Sequence, residues 1–212
     1  MRRFVRALTY PEPVVDGAGL LETVLADLRA RRAERCLPAE CRAGRLLDIG
    51  CGRVPWFLLH SRAADRYGLD PAVRWVCEPS LHVEARAVTG ATALPFADAF
   101  FDAVTLLAFV EHLAPTDVPG VLRDVHRVLK PHGCLILTTP TRWAAPVLRA
   151  FAVLGLISGH GLHEHQAAYR PAELRAAAES AGFRPQAVRI GYFQGPFNLW
   201  MVAHKTPQGA SS

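Results

Sequence analysis

The sequence predicts a doubly wound α/β domain with a mostly parallel sheet, on three observations. Short apolar runs alternate with amphipathic stretches of helical spacing along most of the 212 residues. The first run, LLDIGCG, breaks into Gly50-Cys51-Gly52 where a strand would hand over to a helix. An acid, Asp70, then closes the next run, at about the 20-residue distance at which nucleotide sites of such sheets place their ribose-binding carboxylate.

Each element has its own reason. Residues 18–35 place Leu20, Leu21, Val24, Leu25 and Leu28 on one face, which predicts an amphipathic helix packed through those side chains. Arg45 to Ile49 reads as a short buried strand ended by glycine. Val54 to Ala64 reads as a helix with Pro55 in its first turn. Tyr67 to Leu69 is a second strand, a third falls within Ser80 to Ala87, and Ala103 to Leu107 is a fourth, led in by Phe101-Asp102. Val121, Leu122, Val125, Val128 and Leu129 then repeat at helical spacing up to Pro131, which should stop that helix. Cys134 to Thr138 is the next strand, and after a helical middle Pro171 can start and Gly182 end another helix. Two strand-like runs, Gln186 to Phe193 and Phe197 to His204, close the chain.

Bulk properties narrow the function. Half the residues are apolar and a fifth charged, as in ordinary globular domains. The net charge of +5 comes almost wholly from scattered arginines, Lys130 and Lys205 being the only lysines; nucleic acid is therefore not the expected partner. Five cysteines at irregular spacing suit reduced thiols in the cytoplasm. No apolar core of signal-peptide length precedes Pro11. The longest apolar stretch, Trp143 to Ser158, carries Pro146 and Arg149 and falls short of the ~20 residues a span needs, so no stable membrane insertion is expected.

Gly50 and Gly52 let the backbone turn sharply and approach a ligand. A dinucleotide loop would want a third glycine and free helix N–H groups for a pyrophosphate. Val54 and Pro55 stand there instead, and Pro55 has no N–H. Asp48, two residues before Gly50, would repel phosphate and attract an ammonium. A ligand with an adenosine, an amino group and no phosphate fits these residues: S-adenosylmethionine.

The ordered segments LLDIGCG, YGLDPA, ATALPFADAFFDAV, FVEHL, HRVLKPHGCLILTTP and AESAGF resemble the class I S-adenosylmethionine-dependent methyltransferases, in the small bacterial branch acting on small molecules. The likeness spans roughly residues 45–183. It implies a Rossmann-like, seven-stranded sheet whose last strand is antiparallel. It also implies one methyltransferase domain over residues 1–212, divided into an N-terminal helical extension (1–42), a cofactor-binding core (45–140), a substrate-covering insertion (141–170) and a C-terminal helix with a strand hairpin (171–205). By the same resemblance Gly50, Cys51 and Gly52 would line the methionine and ribose, with Asp48 near the amino group. Asp70 would hold the ribose hydroxyls, Pro71 and Leu94 would flank the adenine, and Leu107 and Ala108 would pass beneath the methionyl chain. Two positions depart from the family pattern: Val54 replaces a common glycine, and Gly90 and Ala91 offer no acid for the adenine amine, leaving Glu84, His82 or backbone carbonyls for that contact.

Methyl transfer needs an acceptor held in line, helped by a base when the acceptor is a hydroxyl or amine. Glu111, His112 and the cluster His160, His163, Glu164 and His165 are the candidates, with His112 and His165 foremost as catalytic residues. The HGLHEH spacing invites a metal reading, but no further ligand pattern supports one, and none is expected. The acceptor is expected to be a small molecule. The rival readings are a nicotinamide-dependent oxidoreductase, which lacks its third glycine and a Tyr-x-x-x-Lys pair here, and a non-catalytic methyltransferase-like binding protein.

Overall fold

The computed structural model describes residues 20–73, 81–89, 93–144, 146–147, 151 and 168–207. Seven strands form one sheet in the order β3-β2-β1-β4-β5-β7-β6. They are β1 (Arg45–Ile49), β2 (Asp65–Asp70), β3 (Leu81–Ala85), β4 (Phe101–Leu107), β5 (Leu129–Pro140), β6 (Val188–Phe193) and β7 (Asn198–His204). β7 runs antiparallel to β5 and β6, while β1 to β5 pair in parallel. The sheet is thus the mixed one implied by the resemblance. Helices α1 (Leu20–Cys36), α2 (Trp56–His60), α3 (Val118–Val128) and α4 (Pro171–Ser180) cover it.

Parallel strands covered on both faces are mostly apolar, and β1 and β4 are buried along most of their length, with Asp48 and Thr105 as their buried polar exceptions. One core layer joins Leu47, Ile49, Val104, Leu106, Leu135 and Leu137 to Val121, Leu122 and Val125 of α3 and Leu174 of α4. The other joins Leu46, Ala103, Cys134 and Ile136 to α1 and to Phe57 and Leu58 of α2. The chain therefore leaves β1 toward one face and β4 toward the other. This reversal of strand order opens a crevice at their carboxyl ends.

Three elements differ from the sequence reading. α1 packs through Ala30 and Ala33, continued by Leu37, whereas Val24 and Leu28 are 50% and 40% exposed. Small side chains let the helix lie close to the sheet, and Arg32 secures it by stacking its guanidinium 4.6 Å from the Trp200 ring. α2 is a single turn and a half, with Pro55 as its N-cap residue rather than inside it. α3 ends at Val128, before Pro131, because Leu129 already pairs with Phe101 as the first residue of β5. Pro131 is tolerated inside the strand because the pairing skips from Leu129 to Cys134, a bulge that asks no ladder N–H of the proline. Lys205 closes this end of α3, its Nζ donating to the carbonyls of His126 and Leu129 at 2.7 Å each.

In the expected substrate-covering insertion, residues 144, 146–147 and 151 are helical; residues 145, 148–150 and 152–167, which include His160, His163, Glu164 and His165, lie outside the described residues. No helix among the described residues is long and apolar enough to cross a membrane.

Candidate active site

The carboxyl ends of β1, β2 and β4 converge on the glycine loop. Gly50 N donates to Leu69 O at 2.8 Å, which ties the loop to β2. Gly52 N donates to Asp70 Oδ2 at 3.0 Å, and Ala72 N donates to Asp70 Oδ1 at 2.8 Å. Asp70 is half-buried and so anchors the loop while keeping a side toward solvent. Pro71, next to it, is exposed.

The two glycines both take left-handed backbone, φ +76° and +77°, yet they do different work. A Cβ on Gly50 would stand 2.3 Å from Phe109 Cδ2, so its missing side chain admits a ring of this chain. A Cβ on Gly52 would meet nothing nearer than Val54 O at 3.8 Å, so its missing side chain leaves open space. Gly50→Ala should therefore lower stability by about 1–3 kcal/mol, through overpacking at a strained φ. Gly52→Ala should cost only about 1 kcal/mol of stability while weakening nucleoside binding about tenfold. Thermal melts and calorimetry with S-adenosylhomocysteine on both variants check this; equal stability losses would contradict the division of labour.

Asp48 is 2% exposed and accepts a hydrogen bond from Thr105 Oγ1 at 2.6 Å. Burial pushes its pKa up to about 7, the Thr105 hydroxyl pulls it down, and the negative charge of Asp70 adds to the rise. Two carboxyl groups flanking one loop favour a cation between them. Cys51 turns inward: its Sγ would lie 2.9 Å from a Cβ on Gly68, and burial pushes the thiol well above its ordinary range.

Beyond β4, Leu107 is half-buried and Ala108 takes φ +54°, held by its N–H to Thr138 O at 2.8 Å. A non-glycine residue in this region stores strain, which concentrates at functional sites. A 3-10 turn over Val110–His112 follows. Glu111 is 1% exposed and accepts from Thr139 Oγ1 at 3.0 Å; burial raises its pKa to about 7, although its backbone, the Arg29 charge and Thr139 favour ionisation. Such a carboxyl braces the turn against β5. His112 is half-buried on the same turn.

Leu94 lies within the core, its N–H bonded to the Asp124 carboxylate and its carbonyl receiving Arg127 Nη2 at 3.1 Å. Its backbone N–H and carbonyl are thus both bonded to α3. His82 stacks on Tyr67 with centroids 4.8 Å apart. Thr105 and Phe109 are the site residues that the sequence reading missed. Thr105 had a signal, a hydroxyl in an otherwise apolar strand; Phe109 had none. No group of three His, Cys, Asp or Glu among the described residues is arranged to hold a metal ion.

Comparison with known proteins defines the class. The sequence model of the methyltransferase domain family matches residues 20–188. The chain belongs to this family, and with it to the class I S-adenosylmethionine-dependent methyltransferases that its motifs resemble. The ubiquinone biosynthesis O-methyltransferase of Pseudomonas aeruginosa (strain UCBPP-PA14) is 30% identical over 165 residues, which cover 72% of this chain and 69% of that protein. The enzyme of the same name from Azorhizobium caulinodans is 32% identical over 76% of this chain and 67% of its own. A SAM-dependent methyltransferase from Archaeoglobus fulgidus superposes with a TM-score of 0.64 at 20% identity, covering 88% of this chain and 98% of that one. Human N-acetylserotonin methyltransferase in complex with SAM superposes with a TM-score of 0.63 at 14% identity, over 89% of this chain and 55% of that one. This membership sets aside the nicotinamide reading.

Proposed function

We propose that this chain transfers the methyl group of S-adenosylmethionine to a hydroxyl oxygen of a small-molecule acceptor in a biosynthetic pathway. The observation that carries the cofactor placement is the carboxyl-edge constellation: buried Asp48, open Gly52 and Asp70 anchored to the loop. Ionised Asp48 receives the amino group, the Gly50–Gly52 backbone receives the methionine and ribose, and Asp70 accepts from the ribose hydroxyls. Pro71 borders the adenine, and Leu107 and Ala108 lie under the methionyl chain. The oxygen acceptor follows the relatives, both named as O-methyltransferases.

When bound, the cofactor supplies an electrophilic methyl group on a positive sulfur. The chain holds the acceptor in line and takes its proton, through His112 or His165. Glu111 keeps the His112 turn in place from β5. Residues 45–140 act as the cofactor half, 141–170 cover the acceptor, and 1–42 and 171–205 flank them. The free thiols of Cys36, Cys41, Cys51 and Cys134 suit work in the cytoplasm.

The test is transfer of tritiated methyl from S-adenosylmethionine to a panel of phenolic and aliphatic hydroxyl compounds. His112→Ala should lower kcat by about 100-fold at unchanged S-adenosylhomocysteine affinity if His112 is the base. Tight binding of S-adenosylhomocysteine with no labelled product from any acceptor would replace this reading with the non-catalytic one.

A further inference from the structure

Phe109 is placed by a costly piece of backbone. The left-handed Ala108 before it, pinned to Thr138, turns the chain as it leaves β4. The Phe109 ring then lies against Gly50, where an added Cβ would stand 2.3 Å from Cδ2 of the ring. Phe109 is half-buried and packs against the core. Three features are thus arranged together: a strained residue, a glycine without room for a side chain, and an aromatic ring beside the loop assigned to the cofactor. A structural filler would not need the first of these, because an ordinary extended backbone can send an aromatic side chain into a core.

We propose that Phe109 is the specificity element for the positive sulfur of S-adenosylmethionine, its π face distinguishing the sulfonium donor from the neutral thioether product. This rests on the placement of the methionine along Gly50–Gly52. An aromatic face carries negative quadrupole charge and attracts an onium centre, more strongly where water is partly excluded. Asp48 serves the ammonium of the same ligand, so the edge offers one negative group for each of its two positive centres. The product keeps the first interaction and loses the second, which favours its release.

The test compares affinities by calorimetry, with no turnover required. The probes are S-adenosylmethionine, sinefungin (which carries a protonated amine near the methyl position) and S-adenosylhomocysteine. Phe109→Leu keeps an apolar side chain of similar size and removes the π face. It should bind the two cationic probes about five- to tenfold more weakly and S-adenosylhomocysteine within about twofold of the unaltered chain. Should Phe109→Leu melt far below the unaltered chain, mono-, di- and trifluorophenylalanine at position 109 keep the ring's shape and withdraw its charge. Affinity for S-adenosylmethionine should then fall stepwise with fluorine number while that for S-adenosylhomocysteine stays level. Equal losses for all three probes, or no loss for any, would overturn the proposal and make Phe109 a packing residue. Failure of the unaltered chain to bind any probe would instead overturn the cofactor placement itself.

Discussion

Asp70→Ala should weaken S-adenosylhomocysteine binding about 100-fold, the sum of a charge-assisted ligand contact and the loss of the loop's anchor. Its two oxygens accept from Gly52 N and Ala72 N, so the carboxylate organises the glycine loop before any ligand arrives. Removing it frees two N–H groups at the very edge the ligand must meet. Asp70→Asn keeps one good acceptor and should fall between, at about tenfold. Calorimetry at fixed ionic strength measures both variants, with circular dichroism to confirm the fold. Affinity of Asp70→Ala within threefold of the unaltered chain would place the ribose elsewhere.

Asp48→Asn should make the free protein more stable and the cofactor site worse. Folding lifts the Asp48 pKa from 3.8 to about 7. Between those values the folded chain holds a proton that the unfolded chain has released, so stability falls as pH rises through this window and the full cost is felt above it. Asparagine cannot ionise and still offers Oδ1 to the Thr105 hydroxyl. At pH 8 the variant should gain on the order of 2 kcal/mol over the unaltered chain, and near pH 4 the two should converge. Cofactor binding runs the other way, because the ligand's ammonium needs the ionised acid. Affinity for S-adenosylhomocysteine at pH 8 should drop about 30-fold in Asp48→Asn, and the gap should close as pH falls below 7 and the native acid protonates. Glu111, whose pKa is also raised to about 7, adds to the stability slope of both proteins and so cancels in the comparison. Denaturant melts and calorimetry across pH 5–8.5 decide it. A destabilised Asp48→Asn at pH 8 would mean that the acid is already paired in the free chain.

What the sequence by itself determined is local in origin. Alternating apolar runs and helical periods prescribe a mostly parallel sheet, because strands buried on both faces have few other ways to be written. The loop between β1 and α2, the acid before it and the acid closing β2 are legible because each sits within a few residues of the turn that requires it. Pro55 and Val54 speak against a pyrophosphate for the same reason.

Only the tertiary structure decided which neighbour each of these residues meets. Gly50 serves Phe109 and Gly52 serves the open crevice, a difference hidden while both are simply glycines in one turn. Thr105 lies beside Asp48 because β4 pairs with β1 in that register, and the pairing depends on how the whole sheet is ordered. α1 packs through Ala30 and Ala33 and leaves Val24 and Leu28 exposed, because small side chains let the helix lie close to the sheet, where Arg32 stacks on Trp200. Leu94 is drawn into the core because Asp124 and Arg127 of α3 capture its backbone. Each outcome turns on contacts between residues far apart in the chain, and hydrophobic periodicity, which reports only the nearest turns, carries no record of them.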